Sequence, residues 1–100
     1  MDRQFPIGKF VRPAGPLDAS ARAAFIDQIE QMPSEFRAVA TSLTDSQLQT
    51  RYRPGGWTAR QVVHHVPDSH MNAFIRFKLA VTEDTPTIKP YDEARWAELA

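Results

Sequence analysis

The stretch 55–84, GGWTARQVVHHVPDSHMNAFIRFKLAVTED, constrains the fold more than any other part of this sequence. Thr58 and Gln61 have the spacing of a capping box, in which each side chain accepts a hydrogen bond from the other residue's backbone N–H. Trp57 precedes the cap and has the position of a hydrophobic staple residue, with Val62 as its natural partner. The pattern predicts a long helix that begins at Thr58 and runs to residue 81 or 82.

A first long helix is predicted upstream, beginning near Asp18 or Ser20, which are both good N-cap residues. Pro33 interrupts its apolar pattern. Either one helix bends at Pro33, or two helices meet there with Ser34 as a cap. Because residues 31–34 contain no glycine or other turn signal, the sequence favours a single bent helix.

Shorter elements complete the predicted fold. Thr44 and Gln47 have capping-box spacing and indicate one short turn through Leu48. Asp92 is a plausible cap for a final helical segment that includes Trp96. Strand signals are weak, and residues 4–11 could form an edge strand at most. The sequence therefore predicts an all-α protein with a helical-bundle architecture.

Composition excludes several classes of function. Twelve basic and twelve acidic residues give zero formal net charge, so no global field attracts nucleic acid or an anionic membrane. The absence of cysteine excludes disulfides, thiolate metal sites and a cysteine nucleophile. No signal peptide or run of about 18 apolar residues is present, and a soluble cytoplasmic protein is expected. No nucleophile elbow or phosphate-binding glycine loop occurs, so no catalytic residue is assigned.

All three histidines lie within the long helix, at His64, His65 and His70. Adjacent residues on a helix diverge by about 100°, and residues five apart by about 140°, so the three cannot bind one metal ion together. His64 points away from the apolar face, and His65 lies on its flank. His70 lies near the middle and is predicted to be a core histidine. The face itself consists of Val62, Val63, Val66, Ala73, Phe74, Phe77, Ala80 and Val81.

Pro67 complicates this geometry. It removes the hydrogen bond to the carbonyl of Val63 and costs about 3 kcal/mol in an unrelieved helix. The resulting bend either curves the helix around a core or opens it beside a polar site. Because a bend also shifts the helical phase, the helical wheel alone does not rank His65 against His70 as a ligand.

Several motifs together resemble the YfiT branch of the DinB-like superfamily. They are Pro6-Ile7-Gly8, TDSQL at 44–48, GGWTARQVVHHVPDSHMN followed by IRFKL, and PYDE at 90–93. They span essentially the whole chain. Members are described as metal-dependent hydrolases, and one group as bacillithiol S-transferases. The resemblance implies an up-down four-helix bundle, often a homodimer, acting on a small-molecule or thiol substrate. From the balanced charge, no nucleic acid or membrane partner is expected.

The resemblance also implies a divalent metal, zinc or nickel, held by three histidines. The second histidine of the His-His pair maps onto His65, and the other two ligands belong to a His-x-x-x-His motif on the last helix. That motif is absent from this sequence. The chain is therefore expected to supply one ligand and roughly the N-terminal half of the bundle, as a single domain over 1–100 that is incomplete at its C-terminus.

Two further interpretations stay open at this stage. Asp68 or Asn72 could orient His65 or a bound water, and Arg51, Arg53 and Arg60 could form a local anion site. The alternative to an enzyme is a non-catalytic helical interaction or dimerisation module, because two long helices leave apolar surface that must be buried.

Overall fold

The computed structural model describes residues 2–100, and its regular elements are all helices. They are α1 (Ala19–Ser42), α2 (Asp45–Leu48), α3 (Ala59–Thr82) and α4 (Glu93–Ala97). An isolated antiparallel bridge joins Arg51 to Thr58, and residues 4–11 form no strand. The predicted all-α class and helix order are confirmed. None of the helices in this part of the chain is long and apolar enough to cross a membrane.

Helix α1 begins where its capping residue predicts. The Asp18 carboxylate accepts a hydrogen bond from the backbone N–H of Ala21 at 2.8 Å, which satisfies one of the unpaired donors of the first turn. The helix continues through Pro33 to Ser42. Of the two interpretations of Pro33, a single helix is confirmed.

Helix α3 has the capping box that its sequence predicts. The Gln61 N–H donates to the Thr58 hydroxyl at 3.1 Å, and the Thr58 N–H donates to the Gln61 side-chain oxygen at 2.9 Å. The helix runs without interruption to Thr82, with Pro67 exposed in its interior. Both ends agree with the prediction.

The chain divides into two compact units, one up to Thr44 and the other Asp45–Ala100. In the second unit, α2 and α4 pack on α3. Asp92 caps α4 by accepting from the N–H of Arg95 at 3.1 Å, and Ala97 is the one hydrophobic residue buried among residues 2–100. The single domain over 1–100 stays a prediction, and Met1 lies outside the described residues.

The apolar face of α3 is exposed. Phe74, Phe77 and Val81 have exposed fractions of 61%, 73% and 81%, and His70 is exposed as well. The prediction that His70 is a core residue is therefore wrong for the described chain, and the two phenylalanines on the same face are exposed with it. The physical reason is that their burial requires a covering element, which the unit Asp45–Ala100 does not provide.

Candidate functional site

A hydrogen-bonded turn connects α2 to α3 and fixes the residues just before the long helix. The N–H of Tyr52 donates to the carbonyl of Trp57 at 3.2 Å, and the N–H of Ala59 donates to the carbonyl of Thr50 at 3.0 Å. The Arg51 guanidinium spans the turn and donates to the carbonyl of Gly56 at 2.6 Å. These bonds hold the backbone at residue 57 in one position relative to α3.

Two glycines make this turn possible for different reasons. Gly55 has φ of +72°, a left-handed conformation that L-residues adopt at a cost of about 1–2 kcal/mol. Gly56 is buried, and a Cβ there would lie 2.7 Å from both Tyr52 Cε1 and Arg53 Cγ. The Gly-Gly pair therefore lets the Tyr52 ring close over the backbone immediately before Trp57.

Trp57 contacts His65 through its ring. The ring centroids are 4.9 Å apart with an interplanar angle of 62°, an edge-to-face arrangement. Such contacts between aromatic rings favour one ring orientation. The indole thus restricts the rotation of the imidazole two turns into α3. The predicted staple between Trp57 and Val62 stays a prediction.

The three histidines differ in their surroundings. His64 and His70 are exposed, whereas His65 is half-buried against Trp57. Among the described residues, His65 has no hydrogen-bond partner, so neither ring nitrogen is engaged and the unprotonated nitrogen can bind a ligand. Within residues 2–100, however, no group of three His, Cys, Asp or Glu side chains could hold a metal ion. His65 by itself supplies one donor and does not complete a site.

Other polar side chains follow His65 on the same side of α3 and form a polar stripe with it. Asp68, Asn72 and Arg76 are half-buried, and the Asn72 amide donates to the backbone carbonyl of Asp68 at 2.8 Å. This bond uses one of the two donors of Asn72. The suggested roles of Asp68 and Asn72 in orienting His65 or a water stay predictions.

A pocket of about 550 Å³ lies at the other end of this stripe. One side is formed by α3 through Asn72, Ile75, Arg76 and Leu79, and the other by residues 87–92 and Trp96. No sequence pattern indicated this pocket. Arg76 on the His65 stripe was an available signal, but the path of residues 83–92 back onto α3 depends on packing that local patterns do not specify.

Two of the three arginines near the start of α3 donate hydrogen bonds within the turn. Arg51 donates to Gly56, and the Arg53 Nε donates to the Tyr52 hydroxyl at 3.0 Å. Arg60 lies beside a shallow polar depression that includes Thr58, whose hydroxyl accepts the capping bond. The suggested anion site at these arginines stays a prediction, although Arg51 and Arg60 both line this depression.

Comparison with known proteins gives a consistent result. A family model described as the DinB superfamily matches residues 28–100. A Bacillus pumilus protein named "Putative metal-dependent hydrolase" is 52% identical over 96% of this chain and 54% of its own length. YfiT of Bacillus subtilis, which carries the same description in its name, is 50% identical over 95% of this chain and 53% of its own length.

The fold is also similar to a solved structure. YfiT from Bacillus subtilis, described as "a probable metal-dependent hydrolase with an unusual four-helix bundle topology", matches with a TM-score of 0.91 and 47% identity. The match covers 98% of this chain and 55% of that one. The chain therefore spans about half the length of the relatives it matches.

Proposed function

Because the chain belongs to the DinB superfamily, we propose that the intact protein is a metal-dependent hydrolase in which His65 is one of the metal ligands. The observation that carries the assignment is the difference between the histidines. His65 alone is half-buried and has its ring oriented by another side chain, Trp57. An oriented imidazole with free nitrogens is the type of donor that zinc and nickel bind.

The described residues fit the metal only in part. They offer one imidazole and no set of three donors, so the other ligands must come from outside residues 2–100. Histidines from the remainder of the protein would complete a three-imidazole set. A zinc or nickel ion bound there would supply a water activated for hydrolysis, or a bound thiolate for S-transfer, which is the second reaction that such a site supports.

This chain's own residues position the imidazole of His65. The turn at residues 50–59 fixes Trp57, and Trp57 restricts the imidazole of His65. Preorganising a ligand in this way lowers the entropy lost when a metal binds. We also propose a small-molecule or thiol substrate, a homodimer, and a cytoplasmic location without nucleic acid or membrane partners. The balanced charge of the chain supports the absence of nucleic acid and membrane partners.

Metal content tests the assignment of His65. The intact protein, as its gene encodes it, is purified, exposed to zinc or nickel, desalted and measured by elemental mass spectrometry. We expect about one metal per protein, lost in His65→Ala with a decrease in affinity above about 100-fold, since outer partners of ligands alone contribute 10–100-fold. His64→Ala is the matched control because it removes an adjacent exposed imidazole. Metal retained in His65→Ala but lost in His70→Ala would overturn the assignment.

One observation favours a second candidate, a non-catalytic helical module that pairs with another copy of itself. The exposed fractions of Phe74, Phe77 and Val81 describe an apolar face that would be stable only when covered. Phe77→Ser, with the neighbouring Lys78→Ser as control, separates the candidates in analytical ultracentrifugation. A metal-free protein that dissociates only in Phe77→Ser is the module. A protein that binds metal, and whose metal content per chain is unchanged by Phe77→Ser, is the enzyme.

A further inference from the structure

The pocket between α3 and residues 87–92 contains two cationic groups that the fold does not use. Arg76 and Lys89 both line it, and neither has a hydrogen-bond or ion-pair partner among the described residues. Asp92 is the one acid in the lining, and one of its oxygens accepts from the N–H of Arg95 at the start of α4. Because two cations face one carboxylate, the net charge of the lining is positive.

The rest of the lining is largely apolar. The Tyr91 and Trp96 rings lie 4.7 Å apart at an interplanar angle of 54°, and Ile75, Leu79 and Ile88 complete the surface. A volume of about 550 Å³ falls within the range of small-molecule sites, which are typically apolar with a few placed polar groups. Aromatic rings beside unpaired cations suit a flat apolar molecule that carries an anionic group.

The pocket is aligned with His65 along α3. Asn72 and Arg76 follow His65 by seven and eleven residues, and both spacings return to within about 20° of the same side of a regular helix. The rise of 1.5 Å per residue places them about 10 Å and 16 Å further along the axis. A molecule of ordinary metabolite length could therefore reach from His65 to Arg76.

We propose that this pocket binds a small organic anion with a flat apolar body, its carboxylate paired with Arg76 and Lys89 and its body against Tyr91 and Trp96. The pocket is a binding site in its own right. We also propose that the end of the substrate far from His65 lies in this pocket. This second step rests on the proposed function, because it assumes that His65, on the same side of α3, is a metal ligand.

Binding of 2-naphthoate to the intact protein, measured by equilibrium dialysis in the presence of a chelator, tests the pocket without metal. The matched probe is 2-naphthamide, which has the same rings and no charge. We expect 2-naphthoate to bind about 10- to 100-fold more tightly than the amide, because hydrogen bonds to charged groups are the stronger ones. Arg76→Gln should remove most of that difference. Lys78→Gln, a nearby cation on α3 that lies outside the pocket, should retain it.

Two outcomes would overturn the proposal that this pocket binds an anion. One is equal affinities for 2-naphthoate and 2-naphthamide, and the other is an equal loss of 2-naphthoate affinity in Lys78→Gln and Arg76→Gln. Circular dichroism of each variant controls for folding, and the comparison of the two probes on the unmodified protein needs no variant. The His65→Ala protein separates this inference from the proposed function. If it binds 2-naphthoate normally while the unmodified protein binds no metal, the pocket stands and the metal assignment fails.

Discussion

Replacing Gly56 by alanine tests the turn that orients Trp57. The added Cβ would lie 2.7 Å from Tyr52 Cε1 and from Arg53 Cγ, and 3.1 Å from Tyr52 Cδ1. Carbon atoms in favourable contact are about 3.5–4.0 Å apart, so the side chains must move by about 1 Å. The hydroxyl of Tyr52 accepts from Arg53, and this bond makes independent movement of the two side chains harder.

We expect Gly56→Ala to lower the free energy of unfolding by about 1–3 kcal/mol, the usual cost of forcing extra atoms into a packed position. Urea denaturation of the intact protein, followed by circular dichroism, measures the change. In a Tyr52→Ala background most of the overlapping atoms are absent, so the same substitution should cost less. This coupling identifies the cause as steric overlap with the ring and not a general intolerance of alanine in the turn.

Two other glycines are matched controls. Gly15 has nothing within 4 Å of an added Cβ and no positive φ, so Gly15→Ala should change stability by less than about 0.5 kcal/mol. Gly55 also has free space but a φ of +72°, so Gly55→Ala should cost about 1–2 kcal/mol from the backbone alone. If Gly56→Ala costs no more than Gly15→Ala, the proposed closure of Tyr52 over the turn is refuted.

Two further substitutions test helix α3. Thr58→Ala removes the hydroxyl that accepts from Gln61 and should cost about 0.5–2 kcal/mol in the same assay; an unchanged midpoint would mean that the capping box contributes nothing. Pro67→Ala restores a backbone donor in the helix interior and should raise the free energy of unfolding by up to about 3 kcal/mol. A decrease would contradict this, and would indicate that α3 depends on the proline.

Local signals in the sequence predicted the fold well. The capping residues Asp18, Thr58 and Asp92 each begin a helix in the structure, because a cap acts within one turn and is visible in a few residues. The choice of a single helix through Pro33 was also correct. It rested on the absence of a turn signal, which is likewise a local property.

Burial could not be predicted in the same way. The helical wheel placed His70 with Phe74 and Phe77 on one face, but a wheel does not show what covers that face. The contact between Trp57 and His65 was missed for a related reason. It depends on the turn at residues 50–59, whose geometry arises from several hydrogen bonds that no single motif specifies.

Helix α3 therefore separates two kinds of surface, and His65 lies at their boundary. On one side is an apolar face that includes Phe77, and on the other a polar stripe that leads through Asn72 to Arg76 and the pocket. If His65 is a metal ligand, as proposed, its polar side would admit a substrate and its apolar side would be left for covering helices. The proposed assignment of His65 therefore rests on its half-buried imidazole against Trp57, a contact that the exposed imidazole of His70 does not have.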